Sequence, residues 1–148
     1  MNTNKQQTYS AAYIADTCVA VRARLISRTI SRTFDAALRP YGVSTAQMNI
    51  LVAVQFLEQT TAKEISAVLA LEKSTVSRNV QIMITKGWLH ETPELGRKKR
   101  LTVTDAGRSL LDDLSEPWAG AQAQVINKIG DINVAALNDT ATRLRSSG

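Results

Sequence analysis

Hydrophobic residues near the start of the chain recur at helical spacing. The first stripe consists of Ile14, Cys18, Val21 and Leu25, and the second of Ile26, Ile30, Phe34 and Leu38. A repeat near 3.5 residues is typical of helices that pack along a partner. We therefore expect a long helix over about residues 11–39, ended by Pro40. Residues 1–10 are polar and aperiodic, which predicts a disordered N-terminus.

Three shorter helices are predicted next, each from a start signal that precedes an amphipathic run. Ser44 caps the first of them. Thr61 opens the second with a capping box, in which Glu64 accepts a hydrogen bond from an otherwise unpaired amide. The third helix spans about Lys73–Lys86 and ends at the following glycine. Two short helices joined by a tight turn indicate a helix-turn-helix.

A basic hairpin follows the third helix. Residues 88–92 and 99–103 read as strands, and the turn between them contains Pro93 and Gly96. A hairpin tip just beyond a groove-bound helix reaches the next groove or its phosphates. The candidate DNA contacts of this wing are Arg97, Lys98 and Lys99.

Two further helices are predicted at the end of the chain. Thr104 caps the first, Pro117 is expected to interrupt and kink it, and Gly130 ends it. Asp131 is expected to cap the second. The apolar stripes of these helices consist of Leu111, Leu114, Trp118, Ala121 and Val125, and of Val134, Leu137, Ala141 and Leu144.

Together these elements predict a mainly α (α+β) fold, a winged helix-turn-helix with long N- and C-terminal dimerisation helices. The 148 residues suffice for one domain with arms. We assign residues 44–103 to the winged helix-turn-helix DNA-binding region, and residues 11–39 and 104–148 to a helical dimerisation region. One small winged unit cannot cover the stripes of the terminal helices, so we expect an obligate homodimer.

The third helix has a polar face that contains no acidic residue. Arginine can read guanine, glutamine can read adenine, and serine or threonine can contact either base or a phosphate. An ordinary solvent-exposed face usually includes glutamate or aspartate, and none occurs within Lys73–Lys86. The candidate DNA-binding residues of this helix are Lys73, Ser74, Thr75, Ser77, Arg78 and Gln81.

The charge distribution supports a polyanionic partner. The formal net charge is +5, and the window from Lys73 to Arg108 holds eight basic and three acidic residues, so it accounts for the whole excess. Clustered lysine and arginine displace counterions from phosphates. Alone, this composition fits a basic but otherwise ordinary surface equally well.

The residues that most enzymes require are scarce. One cysteine and one histidine, Cys18 and His90, lie far apart and form neither a metal site nor a nucleophile pair. No glycine-rich phosphate loop is present. We therefore expect no enzymatic activity, no metal and no cofactor. The sequence also lacks a signal peptide and a membrane-length apolar run, so we expect a cytoplasmic protein that does not contact membranes.

Several motifs resemble the MarR family of bacterial winged-helix regulators, over about residues 11–145. The most specific are residues 74–78 with Lys86-Gly87-Trp88-Leu89, and residues 97–100 leading into residues 101–108. The resemblance implies that the third helix enters the major groove, the wing reaches the minor groove, and the terminal helices interlock two subunits. Leu95 and Gly96 replace the family's usual acid and arginine at the wing tip, so the wing should contribute mainly affinity.

The resemblance further implies a ligand-responsive repressor of transcription that binds a pseudo-palindromic operator. Its effector would be a small aromatic acid, with Cys18, Arg22 and Met48 as candidate ligand-binding residues. Two alternatives stay open. In one, Cys18 is a reactive thiol that senses oxidation, rather than a residue buried in a subunit contact. In the other, the winged helix docks on a protein and does not bind DNA.

Overall fold

A computed structural model describes residues 8–93 and 99–146. The elements in chain order are α1 (Ala11–Thr17), α2 (Val19–Leu38), a 3-10 turn (Arg39–Tyr41), α3 (Thr45–Leu57), α4 (Ala62–Leu69), α5 (Lys73–Thr85), β1 (Leu89–Pro93), β2 (Lys99–Val103), α6 (Asp105–Ile129) and α7 (Asp131–Ser146). The fold is mainly helical with one small antiparallel sheet, as predicted. Within the described ranges, no helix combines the length and the apolar character needed to cross a membrane.

The N-terminal helix is broken at Cys18, where the sequence predicted a continuous helix. Cys18 has extended backbone angles, φ −64° and ψ 112°, so α1 and α2 are separate helices. The Arg22 guanidinium reaches back over the break and donates to the Asp16 carbonyl at 2.7 Å. None of the α1 residues is buried, so no core contact holds this segment in line with α2. Apolar spacing alone did not reveal this local change.

The helix-turn-helix and the hairpin share one core. Thr61 and Glu64 form the predicted capping box at the start of α4, and Ser44 forms another with Gln47 at the start of α3. Both boxes pair amides that a helix start leaves without partners. The buried side chains of this core are Ile50, Leu51, Val54, Ile65, Val76, Val80, Met83, Leu89, Leu101 and Val103.

The hairpin pairs in the predicted antiparallel sense, from Leu89 opposite Val103 to Pro93 opposite Lys99. Its first strand begins one residue later than predicted. In the structure, Thr60 and Leu101 exchange backbone hydrogen bonds, so the segment before α4 attaches to the edge of the wing.

The long helix α6 packs against α2 and joins the terminal helices to the winged unit. It begins with the predicted Thr104 cap and ends at Gly130, and it continues through Pro117, where an interruption was expected. A second, smaller core forms around Leu38, Val43 and Leu114. Trp88 packs against both cores and so connects the hairpin with the end of α2.

Candidate nucleic-acid interface

The orientation of α5 follows from its buried face. Val76, Val80 and Met83 are buried in the winged-helix core, which turns the opposite face of the helix outward. The outward side chains are Lys73, Ser74, Ser77, Arg78 and Gln81, and Thr75 is half-buried beside them. The predicted reading residues therefore lie together on one accessible face, and their contact with DNA stays a prediction.

These outward side chains are available to an external partner. Among the described residues, no hydrogen bond or ion pair engages the side chains of Ser74, Ser77 and Arg78. The preceding residue, Glu72, does not cap the helix with its side chain. The first amides of α5 therefore remain free to donate to an anion such as a phosphate, which helix N-termini attract.

The described residues of the wing form its base. Lys99 forms an ion pair with Glu91 across the two strands, with 2.8 Å between Nζ and Oε2, and its side chain is 71% exposed. The Arg100 guanidinium donates to the Gln59 carbonyl at 3.3 Å. Arg97 and Lys98, the other predicted wing contacts, lie outside the described residues. The base of the wing thus combines a basic surface with links to the segment before α4.

Glu64 belongs to a compact polar cluster under the wing. Its Oε2 accepts hydrogen bonds from the Thr61 amide at 2.7 Å, the Thr61 hydroxyl at 3.0 Å and the Thr60 hydroxyl at 3.1 Å. The Thr61 amide, followed by the two hydroxyl groups, holds the pKa of Glu64 below its usual value, and the charge of Arg100 adds to this effect. The ionised carboxylate therefore ties α4 to the strand-like segment beside β2.

A cavity of about 280 Å³ lies where α2, α3 and α6 meet. Its lining residues are Ile30, Ser31, Phe34, Thr45, Met48, Asn49 and Trp118. Of the three candidate ligand-binding residues, only Met48 lines this cavity. Cys18 lies half-buried at the break before α2, and Arg22 pairs with Asp16. Within one chain, the structure thus does not bring the three candidates together, and their role in ligand binding stays a prediction.

A larger cavity of about 530 Å³ lies between the end of α3, β2 and the start of α6. The cation on its wall, Arg108, already donates to the Val103 carbonyl at 2.7 Å and pairs with Asp105. The bond to Val103 joins β2 to α6, and the pair with Asp105 lies within the first turn of α6. Arg108 therefore has a structural role at this junction.

Two side-chain contacts close the turn between α2 and α3, and the sequence interpretation missed both. The Asp35 carboxylate accepts hydrogen bonds from the amide and the hydroxyl of Thr45, at 2.8 and 2.6 Å. The Lys86 ammonium donates to the Gly42 carbonyl at 2.9 Å and lies 4.4 Å from the centre of the Trp88 ring. The Lys86 contact joins residues 44 positions apart. Helical periodicity carries no signal for a pairing at that separation.

Comparisons with known proteins agree on one family. A family model described as MarR family matches residues 41–100. The uncharacterized HTH-type transcriptional regulator YwoH of Bacillus subtilis is 26% identical over 77 residues, which are 52% of this chain and 56% of YwoH. The aligned segment thus spans little more than half of that relative.

Solved structures match over most of the chain. The M. tuberculosis transcriptional regulator MosR, crystallised in complex with DNA, is 29% identical with a TM-score of 0.70, over 86% of this chain and 98% of MosR. A mutant of MarR from E. coli, crystallised with operator DNA, has a TM-score of 0.79 and 15% identity, over 91% of this chain and 99% of MarR. At this low sequence identity, the likeness to MarR supports a shared fold and nothing further. These likenesses confirm the predicted fold class, and the matched proteins are transcriptional regulators rather than enzymes.

Proposed function

Because the chain belongs to the MarR family of winged-helix transcriptional regulators, we propose that it acts as a homodimeric repressor that binds a pseudo-palindromic operator and responds to a small ligand. The observation that carries this proposal is the outward, acid-free face of α5. Residues 44–103 form the DNA-binding region. Residues 11–39 and 104–148 form the dimerisation region.

The exposed apolar side chains of the terminal helices support a homodimer. Val19 is 79% exposed, Leu25 58% and Leu144 72%. Soluble proteins rarely leave so many large apolar side chains uncovered on neighbouring elements. A second copy of the chain covers such stripes by two-fold symmetry. A two-fold dimer places its reading helices about 34–36 Å apart, one turn of DNA, and so selects a pseudo-palindrome.

The cavity between α2, α3 and α6 supports a response to a small molecule. It lies between the helices assigned to the dimer and the first helix of the DNA-binding region. Phe34, Met48 and Trp118 supply an aromatic and apolar part of its wall beside the polar Ser31, Thr45 and Asn49, which suits a small aromatic acid. A molecule held there would change the angle between the two regions and hence the distance between the reading helices. A thermal-shift screen of small aromatic acids tests this part of the proposal.

The DNA-binding claim is tested by an electrophoretic shift with the duplex upstream of the protein's own gene, over a series of salt concentrations. We expect Arg78→Ala to weaken cognate binding by about 1–3 kcal/mol and to relax base preference. Arg97→Ala should instead lower affinity for all sequences and reduce the salt slope. Lys128→Ala, an exposed cation at the end of α6, is the control and should bind like the wild type.

The same assay separates DNA binding from protein docking. A regulator that reads DNA loses affinity steeply as salt rises, because binding releases counterions. Weak association that is independent of salt would favour the protein-docking alternative. Unchanged operator affinity in Arg78→Ala would show that the reading face is not on α5.

A further inference from the structure

The turn between α2 and α3 is fixed at two points. At the first, Asp35 on α2 accepts two hydrogen bonds from Thr45, the first residue of α3. Ser44 and Gln47 already cap α3 with their own box, so Asp35 adds a link between helices rather than a missing cap. The Thr45 hydroxyl is also 3.4 Å from the Ser31 carbonyl on α2. One residue of α3 therefore contacts α2 at two successive turns of that helix.

The second fixed point attaches α5 to the same turn. Lys86 is the C-terminal cap of α5, and its ammonium donates to the carbonyl of Gly42, which ends the 3-10 turn after α2. Gly42 has φ +68°, a left-handed conformation that glycine adopts without strain. The face of Trp88, 4.4 Å away, stabilises the ammonium in this position. The end of α5 is thus held on the end of the dimerisation helix.

From these contacts we propose that Asp35 and Lys86 are positioning residues for DNA reading. They fix the orientation of α3 and α5 relative to α2, so that in the dimer the two reading helices keep one separation. The inference rests on the proposed function of the α5 face. It assigns no DNA contact to either side chain. The two residues instead determine which distance between the two half-sites the dimer prefers.

The position of the Asp35 contact adds a regulatory consequence. Ser31 and Thr45, which take part in this contact, also line the 280 Å³ cavity. A molecule in the cavity would touch Thr45, and a polar group on it would offer the Thr45 hydroxyl another partner in place of Asp35. Loss of these bonds frees the start of α3 from α2 while the core of the winged unit stays intact. Ligand binding would thus relax the fixed spacing, which links the cavity to the operator.

The test measures binding to a set of duplexes that carry the same two half-sites. Their centres are separated by about one helical turn, lengthened or shortened by up to about two base pairs. The half-site sequence is first found by selecting, from random DNA, the duplexes that the wild-type protein binds. We expect the wild type to prefer one spacing by roughly tenfold, because rigid two-fold readers fit one separation. Asp35→Ala and Lys86→Met should bring all spacings within about threefold of one another.

Matched controls separate positioning from loss of charge. Asp112→Ala on α6 and Lys63→Met on α4 each remove an exposed residue of the same type and should keep the wild-type preference. If Lys86 contacted a phosphate instead, Lys86→Met would reduce the salt dependence of DNA binding by about one charge and would leave the preferred spacing unchanged. That result would overturn the role of Lys86. Sedimentation velocity checks that each variant remains a dimer.

Milder variants keep the test decisive if either substitution prevents folding. Asp35→Asn and Lys86→Gln remove the charge but keep the size, and we expect a preference reduced to about threefold to fivefold. Full wild-type preference in both would overturn the inference while the proposed function stands. A wild-type protein that binds no duplex in the selection would overturn the proposed function, and this inference with it.

Discussion

The Glu64 side chain connects the start of α4 to Thr60, the residue that pairs with β2. Its carboxylate completes the capping box of α4 and also accepts a bond from the buried Thr60. The backbone amide and hydroxyl of Thr61 are the main reason that its pKa lies below the usual 4.5. A carboxyl group with a lowered folded-state pKa stabilises the fold above its unfolded pKa. That stabilisation is lost as the pH falls through the folded pKa.

We predict that Glu64→Gln lowers stability at neutral pH and that its deficit disappears in acid. Glutamine can complete a capping box but has no negative charge for these donors. The wild-type advantage should be full above a pH of about 4.5 and should shrink below it. Thermal unfolding of both proteins between neutral and acidic pH measures the difference. Thr61→Ala removes one donor to Glu64 and should reduce the stability difference that Glu64→Gln causes. A difference that stays constant in acid would contradict the prediction.

At the scale of residues, the sequence predicted local contacts and missed distant ones. The box of Thr61 and Glu64 spans three residues, so its pattern is visible in the sequence and was confirmed. The same holds for the Thr104 cap. The Lys86 bond depends on where a turn 44 residues earlier is placed by the packing of α2 and α6. Such a bond becomes predictable only once the tertiary fold is known.

Among the elements, α6 offers a direct comparison of two glycines in one helix. Gly107 lies in the first turn, where an added Cβ would approach the Trp88 carbonyl oxygen to 2.2 Å and Val103 Cγ1 to 2.7 Å. Gly120 lies in the exposed middle of the helix, and its added Cβ would meet nothing within 4 Å. The close approach of α6 to the wing therefore requires glycine at one position only.

We predict opposite effects of alanine at these two positions. Gly107→Ala should destabilise the protein by about 1–3 kcal/mol, because the helix or the hairpin must move to relieve the overlap. Gly120→Ala should be neutral or stabilise by about 0.5–1 kcal/mol, because alanine loses less conformational freedom in a helix. Chemical denaturation of the two variants provides the measurement. Equal destabilisation by both would show that the approach at Gly107 is not tight.

The predicted elements differ from the observed ones where a local cause outweighs the pattern. Apolar spacing predicted one helix through Cys18, but the backbone there is extended and the Arg22 guanidinium bonds the Asp16 carbonyl. Proline predicted an interruption at position 117, but α6 continues. The outward orientation of the polar face of α5 was predicted correctly, because the two stripes of this helix follow from helical geometry alone. The cavity was not predicted, because its walls come from three separated elements.

On the scale of the whole molecule, the terminal helices leave large apolar side chains exposed. Ile132, Leu137 and Leu144 on α7 have exposed fractions of 85%, 40% and 72%. Leu137 and Leu144 are seven residues apart and share one face of α7, whereas Ile132 lies on a different side of the helix. The face of Leu137 and Leu144 and the stripe on α2 are the surfaces that the proposed dimer buries.

We predict that Leu144→Asp weakens self-association by about tenfold or more, since burying even an unpaired polar group costs roughly 1–3 kcal/mol. Val68→Asp is the matched control. Val68 is 44% exposed but lies on α4, outside the terminal helices. Sedimentation velocity over a range of concentrations measures the dimer fraction. The proposed interface would be wrong if Val68→Asp dissociated the protein as readily as Leu144→Asp.

The placement of the two tryptophans has a practical consequence. Trp88 lies under the Lys86 ammonium, where α5 meets the end of α2, and Trp118 lines the cavity between α2, α3 and α6. Indole fluorescence changes with its surroundings, so the chain carries one natural optical reporter at each place. In a Trp88→Phe variant the emission of Trp118 would report a molecule entering the cavity, and in a Trp118→Phe variant the emission of Trp88 would report the Lys86 contact at the end of α5. The order of the two signals after rapid mixing would tell whether the attachment loosens before or after a molecule enters.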